Sequence, residues 1–235
     1  MLSKNSRGAV VVDRMKRFAI YYAPRAGAFA DAAAAWLGWD LVQGCAVVPP
    51  DVPELAELTA DPRKYGFHGT IKPPFRLVEG TAPADLAEAV AQLARTLRAV
   101  QVPQLQMIRL EGFLALVPGP DAALADLAAD VVRILDPFRA PLTAAEVARR
   151  RPERLTARQR DLLAAYGYPF VMEEFQFHLT LSGRLKPEDA PRLHAAAKAH
   201  FAGLIPQPFD LQDLCLCGED QAGRFHLLHR YALSA

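Results

Sequence analysis

Apolar and polar residues along this chain alternate with two periods, near two and near 3.6, and the switches between them outline its elements. Residues 18–23, Phe-Ala-Ile-Tyr-Tyr-Ala, predict a strand ended by Pro24. Over 28–37, Phe29, Ala33, Trp36 and Leu37 recur at helical spacing, with Gly38 as the stop. Pro49, Pro50, Pro53 and Pro62 predict a loop over 44–64 with one helical turn at 53–59. From 65 to 72 the period is two. Gly66, His68, Thr70 and Lys72 alternate with Tyr65, Phe67, Gly69 and Ile71, and Pro73-Pro74 closes the strand. Pro83 opens a helix with the stripe Leu86, Val90, Leu93 and Leu97.

Residues 105–110 and 113–117 predict an antiparallel pair turning at Glu111-Gly112. Asp121 caps a helix whose stripe is Leu124, Leu127, Val131 and Leu135. The pattern breaks over 136–168, an arginine-rich stretch of helical character with Thr156 as a cap. It resumes at 171–182, where Glu174, Gln176, His178, Thr180 and Ser182 oppose Phe175, Phe177, Leu179 and Leu181. Pro187 opens a further helix, and strands at 209–217 and 224–233 flank a turn.

This order is duplicated. Strand, proline-initiated helix, strand, turn, strand runs through 65–117 and again through 171–233. The fold class that follows is α+β, with antiparallel sheets around a central cleft, helices outside and a pseudo-two-fold axis relating two lobes. Residues 15–235 form the domain, 136–168 an arginine-rich helical insertion within it, and 1–14 a disordered extension or mis-assigned start.

Composition narrows the function classes. A chain of 235 residues that is 51% hydrophobic can bury a sizeable core, and a net charge of +1 gives no general attraction to nucleic acid. Three cysteines without metal-type spacing suit a reducing compartment. No apolar run reaches the ~20 residues that span a membrane. A cytoplasmic protein without a membrane partner is the expectation.

The chemistry lies in the duplicated strands. With six histidines and seven threonines in the chain, random placement yields roughly 0.2 His-x-Thr occurrences. Here there are two, each preceded by Phe and followed by an aliphatic residue. On one strand face, each pair offers an imidazole for proton transfer and a hydroxyl for an anion. Two such pairs across one cleft suit a phosphodiester: one His removes a proton, the other protonates the departing oxygen, and Thr70 and Thr180 hold the phosphate. Which His plays which part is not decided by the sequence. Lys72 shares the His68 face as a further phosphate ligand. Tyr65, Gln176, Arg76, Arg184 and Arg139 are further candidates for touching substrate, although prolines and a glycine interrupt the alternation before Arg76 and Arg184. The arginines of 149–160 form either a solvated helix face or a lid. His226 and His229 do not share a strand face and suggest no metal site.

The paired Phe-His-x-Thr-aliphatic motifs resemble those of the two-histidine phosphoesterase superfamily, which includes RNA ligase-like and cyclic phosphodiesterase proteins. Residues 61–75 (Asp-Pro-Arg-Lys-Tyr-Gly-Phe-His-Gly-Thr-Ile-Lys-Pro-Pro-Phe), 112–118 and 167–175 resemble a branch found with bacterial phosphonate-degradation (carbon–phosphorus lyase) genes. The resemblance runs from about residue 16 onward. It implies a bilobal fold with a central cleft, catalytic His68 and His178, phosphate-binding Thr70 and Thr180, and no metal or other cofactor. The expected activity is a metal-independent phosphodiesterase on a small cyclic phosphate of ribose or a nucleoside. RNA end processing and non-catalytic binding of phosphorylated sugars or nucleotides are the alternatives. The near-neutral charge counts against the first, and retention of both histidines against the second.

Overall fold

A computed structural model describes residues 15–234; the extension expected at 1–14 lies outside them. In chain order the elements are β1 (Arg17–Tyr22), α1 (Ala28–Leu37), β2 (Trp39–Asp40), β3 (Cys45–Ala46), α2 (Leu55–Leu58), β4 (Gly69–Phe75) and α3 (Pro83–Ala94). Then come β5 (Val100–Val102), β6 (Leu105–Leu110), β7 (Phe113–Pro118), α4 (Ala122–Ile134), α5 (Ala144–Arg149) and α6 (Ala157–Tyr166). β8 (Leu179–Thr180), α7 (Asp189–His200), β9 (Phe209–Leu211), β10 (Asp213–Glu219) and β11 (Phe225–Ala232) complete the chain.

Local signals account for most boundaries. Gly38, at φ 75°, turns its N–H back to the Ala34 and Ala35 carbonyls and ends α1. The Asp121 carboxylate accepts from Leu124 N and starts α4. Thr156 does the same for α6 through Gln159 N. Glu111 and Gly112 both have positive φ, 46° and 97°, as a tight two-residue hairpin turn requires.

The expected cleft-forming sheets are joined into one. Seven strands run in the order β11-β10-β1-β4-β8-β7-β6, and every pairing is antiparallel. The duplication is visible in this order. β4 of the first unit pairs β8 of the second, with Gly69 opposite Leu179, and each of those residues directly follows its motif histidine. β5 and β9, also equivalent, pair with each other through Gln101 and Asp210. The pseudo-two-fold axis passes through both pairings. The units also exchange hairpins: β6–β7 adds to β8, and β10–β11 joins β4 through β1.

Alternation along the strands separates two faces. Phe18, Ile20 and Tyr22 of β1, with Leu214 and Leu216 of β10, share the main core with α1, α3, α4 and α7. Ala19, Tyr21, Cys215 and Cys217 point the other way into a second cluster with Phe225. Phe67, Ile71, Phe177, Leu179 and Leu181 belong to the helix-covered core. The motif histidines and threonines therefore lie on the face opposite the helices. On its outer side, α4 packs against residues 157–171, where Val132 meets Leu162 and Val171.

Both motif strands are shorter in their regular parts than the alternation predicts. Residues 172–174 form a 3-10 turn, Met172 has φ 55°, and only Leu179–Thr180 pair as strand. β4 begins at Gly69 and continues through Pro73-Pro74 to Phe75 instead of stopping before them. Its pairing with β1 shifts by one residue twice, from Tyr21↔Thr70 to Ile20↔Lys72 and again to Phe18↔Phe75. These bulges are where prolines, which cannot donate to the ladder, are tolerated.

Candidate active site

Continuing the Gly69↔Leu179 register by one residue each way sets His68 opposite Thr180 and Thr70 opposite His178. In keeping with that register, His68 lines one cavity with Thr180 and His178 lines another with Thr70. The close crossing explains the glycine. A Cβ on Gly69 would lie 2.4 Å from the Phe177 ring, because Leu179 and Phe177 already fill the space beside the axis.

The two imidazoles are held alike. His68 Nδ1–H donates to the Gly66 carbonyl at 2.8 Å, and His178 Nδ1–H donates to the Gln176 carbonyl at 2.8 Å. A carbonyl only accepts, so each ring carries its proton on Nδ1 when neutral, and Nε2 is left with a lone pair. His68 Nε2 is 3.2 Å from Thr70 Oγ1, close enough to accept the hydroxyl proton.

The surroundings of the two rings differ. His68 stacks on Tyr21 at 3.9 Å between centroids and 29° between planes, with Tyr65 beyond at 5.9 Å. His178 lies against Phe113 at 5.5 Å. Burial pushes the His68 imidazolium down to about 4; the Gly66 carbonyl opposes this, and the nearby His178 adds to it. His68 is therefore neutral through the physiological range, with the lone pair of its basic nitrogen turned to the Thr70 hydroxyl.

Two cavities meet over this face. One of about 320 Å³ is lined by His68, Thr70 and Thr180, with Tyr65 and Arg184. The other, about 270 Å³, is lined by His178, Thr70 and Gln176. They share Thr70, Pro73, Phe113 and Tyr168. Tyr65 and Arg184 thus line the cavity of His68, and Gln176 that of His178.

Lys72, Arg76 and Arg139 do not. The bulge between Thr70 and Lys72 takes Lys72 off the His face. It is 2% exposed, and its amine donates to the Val132 carbonyl at 3.1 Å and to Asp136 at 3.2 Å. Burial lowers its pKa to about 8, against the opposing pull of Asp136. Arg139 is forked onto the same Asp136 at 2.8 and 3.0 Å. Arg76 is forked onto Glu146 at 3.2 and 2.9 Å, and that hydrogen bond holds the Glu146 carboxyl down to about 2. Lys72 and Arg76 tie residues 136–168 to β4 and its end, Arg139 braces that segment internally through Asp136 and the Ala165 carbonyl, and all three line a separate crevice.

The structure adds residues that the motifs did not reveal. Tyr21 is the platform under His68. Phe113 and Tyr168 stand between the two cavities, and Arg150 lines the first. Of these, Arg150 and Tyr168 come from the arginine-rich stretch 136–168, which supplies part of the cavity wall. The rest of the arginine run is exposed, and Arg158 pairs with Glu173. His226 bonds Asp220 at 2.8 Å, and among the described residues no group of three His, Cys, Asp or Glu is placed to hold a metal.

A family model described as a protein of unknown function, DUF1045, matches residues 70–226. This chain belongs to the DUF1045 family. It is 36% identical over 222 residues to ribose 1,5-bisphosphate phosphokinase PhnN of Janthinobacterium sp. (strain Marseille), covering 90% of this chain and 49% of that protein. The chain spans about half the length of the curated relatives it matches. Among solved structures, E. coli LigT complexed with NADP+ and a phosphoesterase each match at a TM-score of 0.41 and 16% identity, over 94% of this chain and 99% of theirs. The DUF1045 match spans both histidine motifs' threonines and His178, and starts two residues after His68. No helix among the described residues is long and apolar enough to cross a membrane.

Proposed function

We propose that this chain is a phosphodiesterase that hydrolyses a small cyclic phosphate of ribose or a nucleoside, with His68 and His178 as base and acid. The observation that carries this reading is the matched tethering of the two imidazoles. Each donates Nδ1–H to the carbonyl two residues before it, which frees Nε2, and each lines a cavity with the opposite motif's threonine. Binding alone has no use for two oriented nitrogens with exchangeable protons.

His68, held neutral, takes a proton from the attacking water through Nε2. The water oxygen bonds to phosphorus, one ring P–O bond breaks, and His178 delivers a proton to the departing sugar oxygen. A phosphate monoester and a free hydroxyl result, and the two histidines have exchanged protonation states. Thr70 and Thr180 hydroxyls donate to the non-bridging oxygens as charge gathers there. These groups complete the proton transfers without calling on a metal. Curated relatives named for ribose 1,5-bisphosphate favour a ribose phosphate as substrate. A link to phosphonate metabolism accords with the branch that the longer motifs resemble.

The test is a panel of cyclic phosphates and short RNAs, with a chelator present, against wild type, His68→Ala and His178→Ala. General acid–base groups typically contribute 10²–10⁴-fold, so each variant should lose roughly that factor while a chelator changes nothing. Turnover that survives either substitution, or that stops with chelator, overturns the proposal.

A further inference from the structure

Arg150 is unlike the other arginines of comparable burial. It follows α5 in the stretch 136–168, is part-buried, and lies with its guanidinium carbon 4.7 Å over the Tyr168 ring. Every other part-buried arginine among the described residues gives its guanidinium to a protein oxygen. Arg17 bonds Glu219, Arg63 the Leu37 carbonyl, Arg76 Glu146 and Arg230 Asp213. The Arg150 guanidinium has no hydrogen-bond acceptor among the described residues. Guanidinium donors that line a cavity and have no protein acceptor among the described residues point to a ligand.

That guanidinium faces the 320 Å³ cavity, whose wall also carries Arg184. Arg184 lies over the β6–β7 turn, where its Nη1 would be 3.2 Å from a Cβ on Gly112, and no carboxylate pairs with it among the described residues. Asp61 on the same wall is already paired with Lys64 at 3.0 Å, and Arg17 with Glu219. The cavity therefore holds two uncommitted guanidinium groups beyond the histidine–threonine array. Its volume is at the lower end of small-ligand sites, roughly 300–1,000 Å³, and exceeds what one phosphate needs.

We infer that Arg150 and Arg184 form a second anion site, and that the substrate carries a phosphate monoester in addition to the cyclic phosphate at the histidines. A phosphate dianion matches two forked guanidinium groups, and the stretch 136–168 supplies one of them. That stretch thereby selects for a doubly phosphorylated small molecule and against a substrate whose only phosphate is the scissile one. This deepens the phosphodiesterase reading and takes from it the placement of the cyclic phosphate.

Two measurements separate the claims. Calorimetric binding compares adenosine 3′-phosphate with adenosine 3′,5′-bisphosphate, neither of which contains a cyclic diester. Kinetics compare adenosine 2′,3′-cyclic phosphate with and without a 5′-phosphate. In wild type the 5′-phosphate should tighten binding and lower KM by roughly tenfold or more, the usual worth of a charge-assisted contact, with kcat little changed. Arg150→Gln and Arg184→Gln should each lose most of that preference at unchanged melting temperature. Arg154→Gln, an exposed arginine of the same run, should keep it. Equal affinity for the two adenosine compounds, or binding of neither, overturns the second anion site. A preference that persists with no turnover of any cyclic phosphate upholds this site and sinks the phosphodiesterase reading.

Discussion

His68 is where physical environment and proposed role meet most closely. Its imidazole is stacked on Tyr21 and tied to the Gly66 carbonyl, and burial brings its pKa from an ordinary 6.5 to about 4. Between those values the folded chain binds fewer protons at this site than the unfolded chain does. The stability contributed by a neutral His68 is therefore fully present above about pH 6.5 and is lost as pH falls through about 4. Denaturant unfolding of wild type across that window should show falling stability on acidification, and His68→Gln should flatten the slope. The same shift sets the acid limb of activity. If His68 is the base, kcat/KM should hold down to about pH 4, well below where an unperturbed imidazole would fail. An acid limb near neutrality would count against His68 as that base.

The crossing of β4 and β8 makes a different demand. Two equivalent positions face each other on the axis, and only one can hold a large side chain. Leu179 holds it, and Gly69 yields. Gly69→Ala forces a methyl into the Phe177 ring, and overpacking of this kind costs about 1–3 kcal/mol. Because Phe177 adjoins His178, kcat should fall together with the urea midpoint. Gly119→Ala, which has open space around its Cβ position, should change neither. The repeat itself was legible because its elements are local. Proline openings, a capping Asp121 and period-two strands each leave a mark within a few residues. What was not legible depends on partners distant in the chain. Lys72 reads as a phosphate ligand if alternation continues past Thr70, and nothing in the local residue pattern announces the bulge that turns it toward Asp136. Arg76 misleads in the same way, since Glu146 is recognised as its partner only once residues 136–168 fold back on β4, whereas Arg139 takes Asp136, three residues before it, a spacing that the sequence itself offers. Tyr21 hides inside an ordinary apolar strand, and Arg150 inside a run of arginines.

Across the molecule, residues 136–168 are both fastening and roof. Lys72 and Arg139 meet at Asp136 and Arg76 grips Glu146 on one side, while Arg150 and Tyr168 line the cavity on the other. Loss of the fastening should therefore reach the site. Asp136→Ala strands the Lys72 ammonium, which is 2% exposed, and removal of one partner from such a pair costs about 3 kcal/mol or more. Lys72→Met is milder, because Asp136 keeps Arg139 and an apolar chain of similar length fills the same space. The predicted order by urea unfolding is wild type, then Lys72→Met, then Asp136→Ala. In Asp136→Ala, hydrogen exchange over 144–168 should quicken before that of the sheet, and KM should rise as the roof loosens. Lys72→Met should leave KM within about twofold of wild type, since a charge-assisted phosphate contact would be worth roughly tenfold or more. A folded Lys72→Met enzyme with KM raised tenfold would place that lysine at the phosphate after all, and the Arg76–Glu146 pair would then be the side-chain anchor of residues 136–168 at the end of β4.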